Sequence, residues 1–164
     1  MDGIFRRYIY LLIVAITLGC GLQGVAALAE DAVINVPNED EAMNAAIAKA
    51  RAGLPAFWAA LADPPAETEG YALKVAITDG DNVEHFWTAD VRRDGEHITA
   101  VIANEPQTVS TVTQGQRVDV PDADISDWMY LRKGKIVGNE TLRVLLGYMP
   151  EEEAAQWKAM LEEP

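Results

Sequence analysis

The chain has 164 residues, 13 Lys and Arg against 26 Asp and Glu, and a formal net charge of −13 at pH 7. That length suits one domain around one core, and that acidity works against phosphate backbones and anionic lipid heads, so nucleic acid is not an expected partner. Cys20 is the single cysteine, which excludes a disulfide framework and a thiolate metal cluster.

The first 29 residues read as an export signal. Arg6 and Arg7 form a positive start, Ile9 to Leu18 an apolar stretch, and Ala27-Leu28-Ala29 a small-x-small cleavage site before Glu30. The apolar stretch is shorter than the roughly 20 residues of a membrane span. Thr17-Leu18-Gly19-Cys20 is a poor relative of the lipoprotein box; were it used, Cys20 would carry a lipid tether. Cleavage after Ala29 is the favoured reading, giving a periplasmic or secreted protein without a thiol.

Residues 30–37 are expected to be a mobile leader, and 38–164 one globular domain. Asn38 and Glu41 predict a capped helix start. Met43, Ala46, Ile47, Ala50, Leu54, Phe57, Trp58 and Leu61 follow at helical spacing. Gly53 and Pro55 interrupt this stripe, so a kinked helix or two consecutive ones are expected, ending at Asp63-Pro64-Pro65.

Tyr71, Leu73, Val75 and Ile77 then alternate with smaller or polar residues, the period of a half-buried strand. Turns at Asp79 to Asn82 and at Asp94-Gly95 predict two more strands, Val83 to Arg92 and His97 to Ala103. Shorter strands are expected at 117–120, 125–131 and 136–137. Asn139 is the expected cap of a helix through Leu146, and Pro150 with Glu151 to Glu153 opens a last one. The expected fold is α+β: an antiparallel sheet, with a tendency to curl towards a small barrel, flanked by helices at both ends.

Candidate site residues are few. Glu84 and His85 are adjacent on a strand, so they face opposite sides and do not form a pair by themselves. His85 is either a packed ring or a general base in need of a partner such as Asp127. Asp127 beside Trp128 and Tyr130 is either a ligand anchor, or a structural acid that accepts backbone amides at a turn or pairs with Arg143, whose fork suits the carboxylate of Asp127 or of a ligand. Asn104-Glu105-Pro106 reads as a strand terminator, with Asn104 hydrogen-bonded to its own backbone, and as a loop position suited to binding.

No metal and no cofactor are expected. His85 and His97 are the only histidines, the acidic runs 79–84 and 122–127 lack calcium-loop spacing, and Ser110 and Ser126 lack a nucleophile-elbow context.

Several segments together resemble one family. They are Glu84-His85-Phe86-Trp87, Asn104-Glu105-Pro106, Ile125-Ser126-Asp127-Trp128-Met129-Tyr130, and Gly134 to Gly138 leading into Thr141-Leu142-Arg143. The spacing is similar to that of the bacterial domain of unknown function 2314 family, the YegJ-like envelope proteins, over about Met43 to Leu146. The resemblance implies a domain type and an envelope location but no chemistry. Relatives carry Gly-Gly-aromatic-Thr where this chain has Gly138-Asn139-Glu140-Thr141, and Asn139 is the residue best able to replace a left-handed glycine.

The leading functional expectation is an exported, non-enzymatic binding or interaction module engaging a protein or small ligand through Trp128, Tyr130, Asn104 and Arg143. The alternatives are a hydrolase-like enzyme built on His85 with Glu84 or Asp127, and an immunity-type inhibitor whose acidic surface covers a basic partner.

Overall fold

The computed structural model describes residues 40–163, together with the backbone of Tyr8–Leu12 and Val33–Pro37. In chain order the elements are β1 (Tyr8–Leu12), β2 (Val33–Pro37), α1 (Glu41–Ala62), β3 (Thr68–Asp79), β4 (Asn82–Asp94), β5 (His97–Ile102), β6 (Arg117–Asp119), β7 (Ile125–Arg132), β8 (Lys135–Gly138), α2 (Glu140–Leu145) and α3 (Glu151–Met160). Six strands make an antiparallel path, β8-β7-β3-β4-β5-β6, whose ends β8 and β6 do not pair with each other. The fold is therefore α+β with an open sheet, not a closed barrel.

Of the expected signal segment, only β1 is described. It pairs antiparallel with β2 and runs parallel to β4 at Tyr10↔Glu84 and Leu11↔His85. Val33–Pro37, read in sequence as part of a mobile leader, is strand β2. Cys20, the cleavage site after Ala29 and the expected cap Asn38 lie outside the described residues.

The cap of α1 is Asp40, whose side chain accepts a hydrogen bond from the Met43 amide at 2.7 Å. α1 is one helix of 22 residues in spite of Pro55. An interior proline costs a helix about 3 kcal/mol, and packing offsets it here. Phe57 is completely buried, with Trp58, Tyr71 and Trp128 rings 5.0, 5.9 and 5.6 Å from its own. Burying such a side chain contributes roughly 1.5–3 kcal/mol.

Trp128 fixes the helix to the sheet. Its indole N–H donates to the Ala50 carbonyl at 2.7 Å, and a Cβ at Gly53 would stand 2.8 Å from the ring. Glycine is what lets the backbone approach so closely.

Both faces of the central sheet are covered. Leu73, Val75, Ile125, Trp128 and Tyr130 pack with Ala50, Phe57 and Ala60 of α1. On the other face Ala72, Trp87, Met129 and Leu131 pack with Leu142 and Leu145 of α2, and Leu161 after α3. Every residue from Ile125 to Leu131 in β7 is consequently buried.

β4 belongs to two ladders. Residues 82–87 pair with β3, and from Thr88 onward the strand pairs with β5. Between Ala89 and Arg92 the register shifts, and Asp90 sits at φ +45°, an uncommon conformation for a residue with a Cβ. This bulge breaks simple alternation: Val91 packs in the α1 cluster, whereas Trp87, four residues before it, packs in the α2 cluster.

Candidate functional site

The candidate residues divide between a polar chain buried in the sheet and a cleft where two strands part.

Asp127 is fully buried and accepts four donors: the Thr141 amide and hydroxyl at 2.7 Å each, the Trp128 amide at 2.8 Å, and the Glu140 amide at 3.3 Å. Two of these are amides in the first turn of α2. The carboxylate of β7 thus caps α2 from outside the helix, where it also meets the positive end of the helix dipole. Asn139, the expected cap, makes no side-chain cap bond; its contribution is a left-handed backbone at φ +55°. Gly138 before it has φ +82°, and a Cβ there would lie 2.5 Å from the Trp128 carbonyl oxygen. Glycine at 138 is therefore obligatory, whereas asparagine serves at 139.

Lys74 of β3 enters the same cluster. It is 1% exposed, its ammonium donates to the Thr141 hydroxyl at 3.1 Å, and it stands 5.1 Å from the Trp87 ring centroid. A threonine hydroxyl has one proton, which goes to Asp127, so Thr141 relays between ammonium and carboxylate. Burial lowers the Lys74 ammonium to about 8, against the favourable charge of Asp127. Burial raises Asp127, opposed first by Lys74 and then by its donors. All four partners are N–H or O–H donors, the environment of an ionised carboxylate, so we take the pair as charged.

Lys74 is absent from the candidates the sequence suggests. Alternation assigns it to the polar face of β3, and only its small neighbours Ala72 and Ala76 hint that this face is covered as well.

His85 is 6% exposed and contacts neither Glu84 nor Asp127 through a hydrogen bond in the structure; its Nδ1 lies 2.8 Å from Ser126 Oγ. The Ser126 hydroxyl donates to the Lys74 carbonyl at 3.2 Å. Its one proton is thereby used, so Nδ1 carries the hydrogen and donates to serine. That orientation is the reverse of a base activating a nucleophile. Burial, and secondarily the Lys74 charge, push the imidazole down to about 3.

Glu84 is also interior, on the opposite face with Phe86. Its carboxylate accepts the amides of Gln107, Thr108 and Val109 at 2.9–3.2 Å and the Thr108 hydroxyl at 3.1 Å. It ties the 107–109 loop to β4, as a buried carboxylate surrounded by donors does.

Of the four residues expected to form a binding surface, Trp128, Tyr130 and Asn104 are buried and Arg143 is half-buried. Trp128 and Tyr130 are 8% and 7% exposed and stack at 6.1 Å beneath α1. The Asn104 side-chain oxygen accepts the Trp87 amide at 3.1 Å, so it extends the β4–β5 ladder and does not bond its own backbone. Arg143 donates to the Glu162 carbonyl at 2.8 Å and lies 3.6 Å from Glu140, not against Asp127.

The cleft arises from the division of β4. The β3–β4 ladder ends at Lys74↔Trp87. Next to it the Thr88 hydroxyl donates to the Leu73 carbonyl at 3.0 Å and accepts the Leu73 amide at 3.3 Å, a side chain standing in for one more rung. Beyond Thr88 the strands diverge, β3 following β7 and β4 following β5.

The fork opens a cleft of about 400 Å³ between Gly70, Tyr71 and Ala72 on one arm and Trp87 to Val91 on the other, with Leu61, Ala103 and Met129 completing the wall. Members of both core clusters meet in this wall, because the sheet that separates them is open there. The lining is mostly apolar and the volume lies in the range of small-molecule sites. Nothing in the sequence marks it, since divergence of two ladders is a long-range property.

Residues 40–162 match the family described as an uncharacterized protein conserved in bacteria (DUF2314), and the chain belongs to that family. Among its relatives is the uncharacterized protein YegJ of Escherichia coli K12, 37% identical over 131 residues that cover 80% of this chain and 84% of YegJ. A putative ankyrin repeat protein of Neisseria meningitidis serogroup B is 42% identical over 81 residues, 49% of this chain and 32% of that protein. No solved structure matches. No helix among the described residues is long and apolar enough to cross a membrane.

Proposed function

We propose that this protein is a non-enzymatic binding module that takes an apolar small-molecule ligand in the cleft between the arms of β3 and β4. The carrying observation is the cleft itself: about 400 Å³, lined chiefly by apolar side chains and floored by the Thr88 bridge. The non-enzymatic part of the reading is supported by how the ionisable candidates are used. Glu84 and Asp127 each accept several backbone amides, and the His85 ring donates to Ser126.

Ala89 is exposed and lines the cleft, so Ala89→Trp fills it without entering the core. The neutral fluorophore N-phenyl-1-naphthylamine is expected to brighten with wild type and to bind the variant at least about tenfold more weakly, about 1.4 kcal/mol. Equal binding by the two proteins, with matching circular dichroism, would remove the cleft from consideration.

The setting proposed is outside the cytoplasm, after removal of residues 1–29. The positive start at Arg6-Arg7, the apolar stretch and Ala27-Leu28-Ala29 support it. Intact-mass analysis of protein from an envelope fraction is expected to begin at Glu30. A chain beginning at Met1 would sink this proposal, and one beginning at an acylated Cys20 would replace it with a lipid-tethered form.

A further inference from the structure

The fork cleft has a neighbour. A second cleft, of about 470 Å³, is lined by Trp58, Leu61, Ala62, Val91, Arg92, Arg93 and Gly95. Leu61 and Val91 belong to the walls of both, so the two adjoin across that pair of side chains. Their chemistry differs. The first is apolar, whereas the second presents two arginines in a chain whose net charge is −13.

The arginines near the junction are not equivalent. Asp90, at the edge of the fork, is held by Arg92 through two hydrogen bonds of 3.2 and 2.9 Å and by Arg117 through its carboxylate and its carbonyl. Arg92 and Arg117 are thus occupied by a carboxylate of the protein itself.

Arg93 is bound differently. Its Nε donates to the Gly95 carbonyl at 2.9 Å, and its guanidinium lies over the Trp58 ring at 4.7 Å. These two contacts fix the plane of the group, and its terminal Nη atoms have no hydrogen-bond or ion-pair partner among the described residues. A guanidinium held over an indole, with both outer nitrogens uncommitted, presents a fork suited to a carboxylate or phosphate.

We propose that the ligand is a single-chain amphiphile with an anionic end group, its alkyl part in the fork cleft and its anion on the Nη atoms of Arg93. This rests on the apolar-ligand reading above and adds the head group. The junction at Leu61 and Val91 sets the boundary between the two parts. On the fork side the wall is mostly apolar, and on the other side the Arg93 guanidinium is held by Gly95 and Trp58 before the ligand arrives. Carboxylate and phosphate share the chemistry that Arg93 recognises, and the experiment separates them.

Titration calorimetry would compare dodecanol, dodecanoate and dodecyl phosphate, all below micelle formation, on the full chain and on the Arg93→Gln and Ala89→Trp variants. Wild type is expected to bind at least one of the two anions about tenfold or more better than dodecanol. Arg93→Gln is expected to reduce both anions to the dodecanol affinity, and Ala89→Trp to abolish binding of all three. The better of the two anions then identifies the head group.

If dodecanol binds as well as both anions, or if the anion preference survives in Arg93→Gln, the head-group proposal is overturned and the apolar cleft stands. If none of the three binds wild type, both readings fall. Arg93 is exposed at the end of β4, so its substitution leaves the core intact, and circular dichroism of each variant checks this.

Discussion

Asp127→Ala is expected to lower the unfolding free energy by about 3–5 kcal/mol, the usual cost of removing one partner from a buried charged pair. Three deficits add up. The first turn of α2 loses the acceptor of its Glu140 and Thr141 amides, the Thr141 hydroxyl loses its acceptor, and the Lys74 ammonium keeps its desolvation without a counter-charge. The diagnostic measurement is a urea double-mutant cycle with Lys74→Met. The two changes should couple by about 1–3 kcal/mol, so that the double variant is more stable than the sum of the single losses. A strictly additive cycle would show that Lys74 and Asp127 do not act on each other through Thr141, and the buried relay would have to be given up. Asp127→Asn, which keeps shape and one acceptor, is expected to fall between wild type and Asp127→Ala.

Acid is expected to destabilise the protein through His85, and the sign follows from linkage. The unfolded imidazole takes up its proton near 6.5, whereas the folded ring stays neutral down to about 3. Between these values the unfolded state binds the additional proton, so stability falls as pH falls and the contribution is fully present only above about 6.5. From pH 6.5 to about pH 4.5 one such group removes about 2 kcal/mol of unfolding free energy. His85→Asn keeps a short side chain able to donate to Ser126 and has no titration in this range. The urea midpoint of wild type should fall further from pH 6.5 to about pH 4.5 than that of this variant, with carboxylate effects common to both. Parallel losses in the two proteins would mean that the His85 ring is protonated in the folded state.

The elements were legible in sequence because their signals are local. The two Gly-containing turns between β3, β4 and β5 state the hairpins directly, and Pro150 with three glutamates begins α3 where expected. The continuous helix across Pro55 was not legible, because the packing of Phe57 and the indole bond to Ala50 come from residues distant in the chain. The same reason hides Lys74. A lysine between two alanines on an alternating strand reads as solvent-facing until α2 and α3 are known to cover that face.

The candidate residues have partners inside the fold. Asp127 does accept backbone amides, although its partner in charge is Lys74 and not Arg143. His85 is packed, with serine as its neighbour. Trp128, Tyr130 and Asn104 carry the chemistry expected of binding residues and spend it on the interior, which composition alone does not distinguish from a surface. The cleft requires knowing where one ladder stops and another starts, and no residue type encodes that.

The shared strand has a consequence for how a guest would enter. Most small-molecule sites shaped by loops must be ordered when they are filled, and that ordering subtracts from affinity. Here the lining side chains are carried by β3 and β4, which pair on their far sides with β7 and β5 across a register shift in each arm, and the apex is pinned by Thr88. The opening is therefore preorganised. Side chains around its rim can be exchanged to retune which guest is accepted, while the angle between the arms stays set by the ladders behind them.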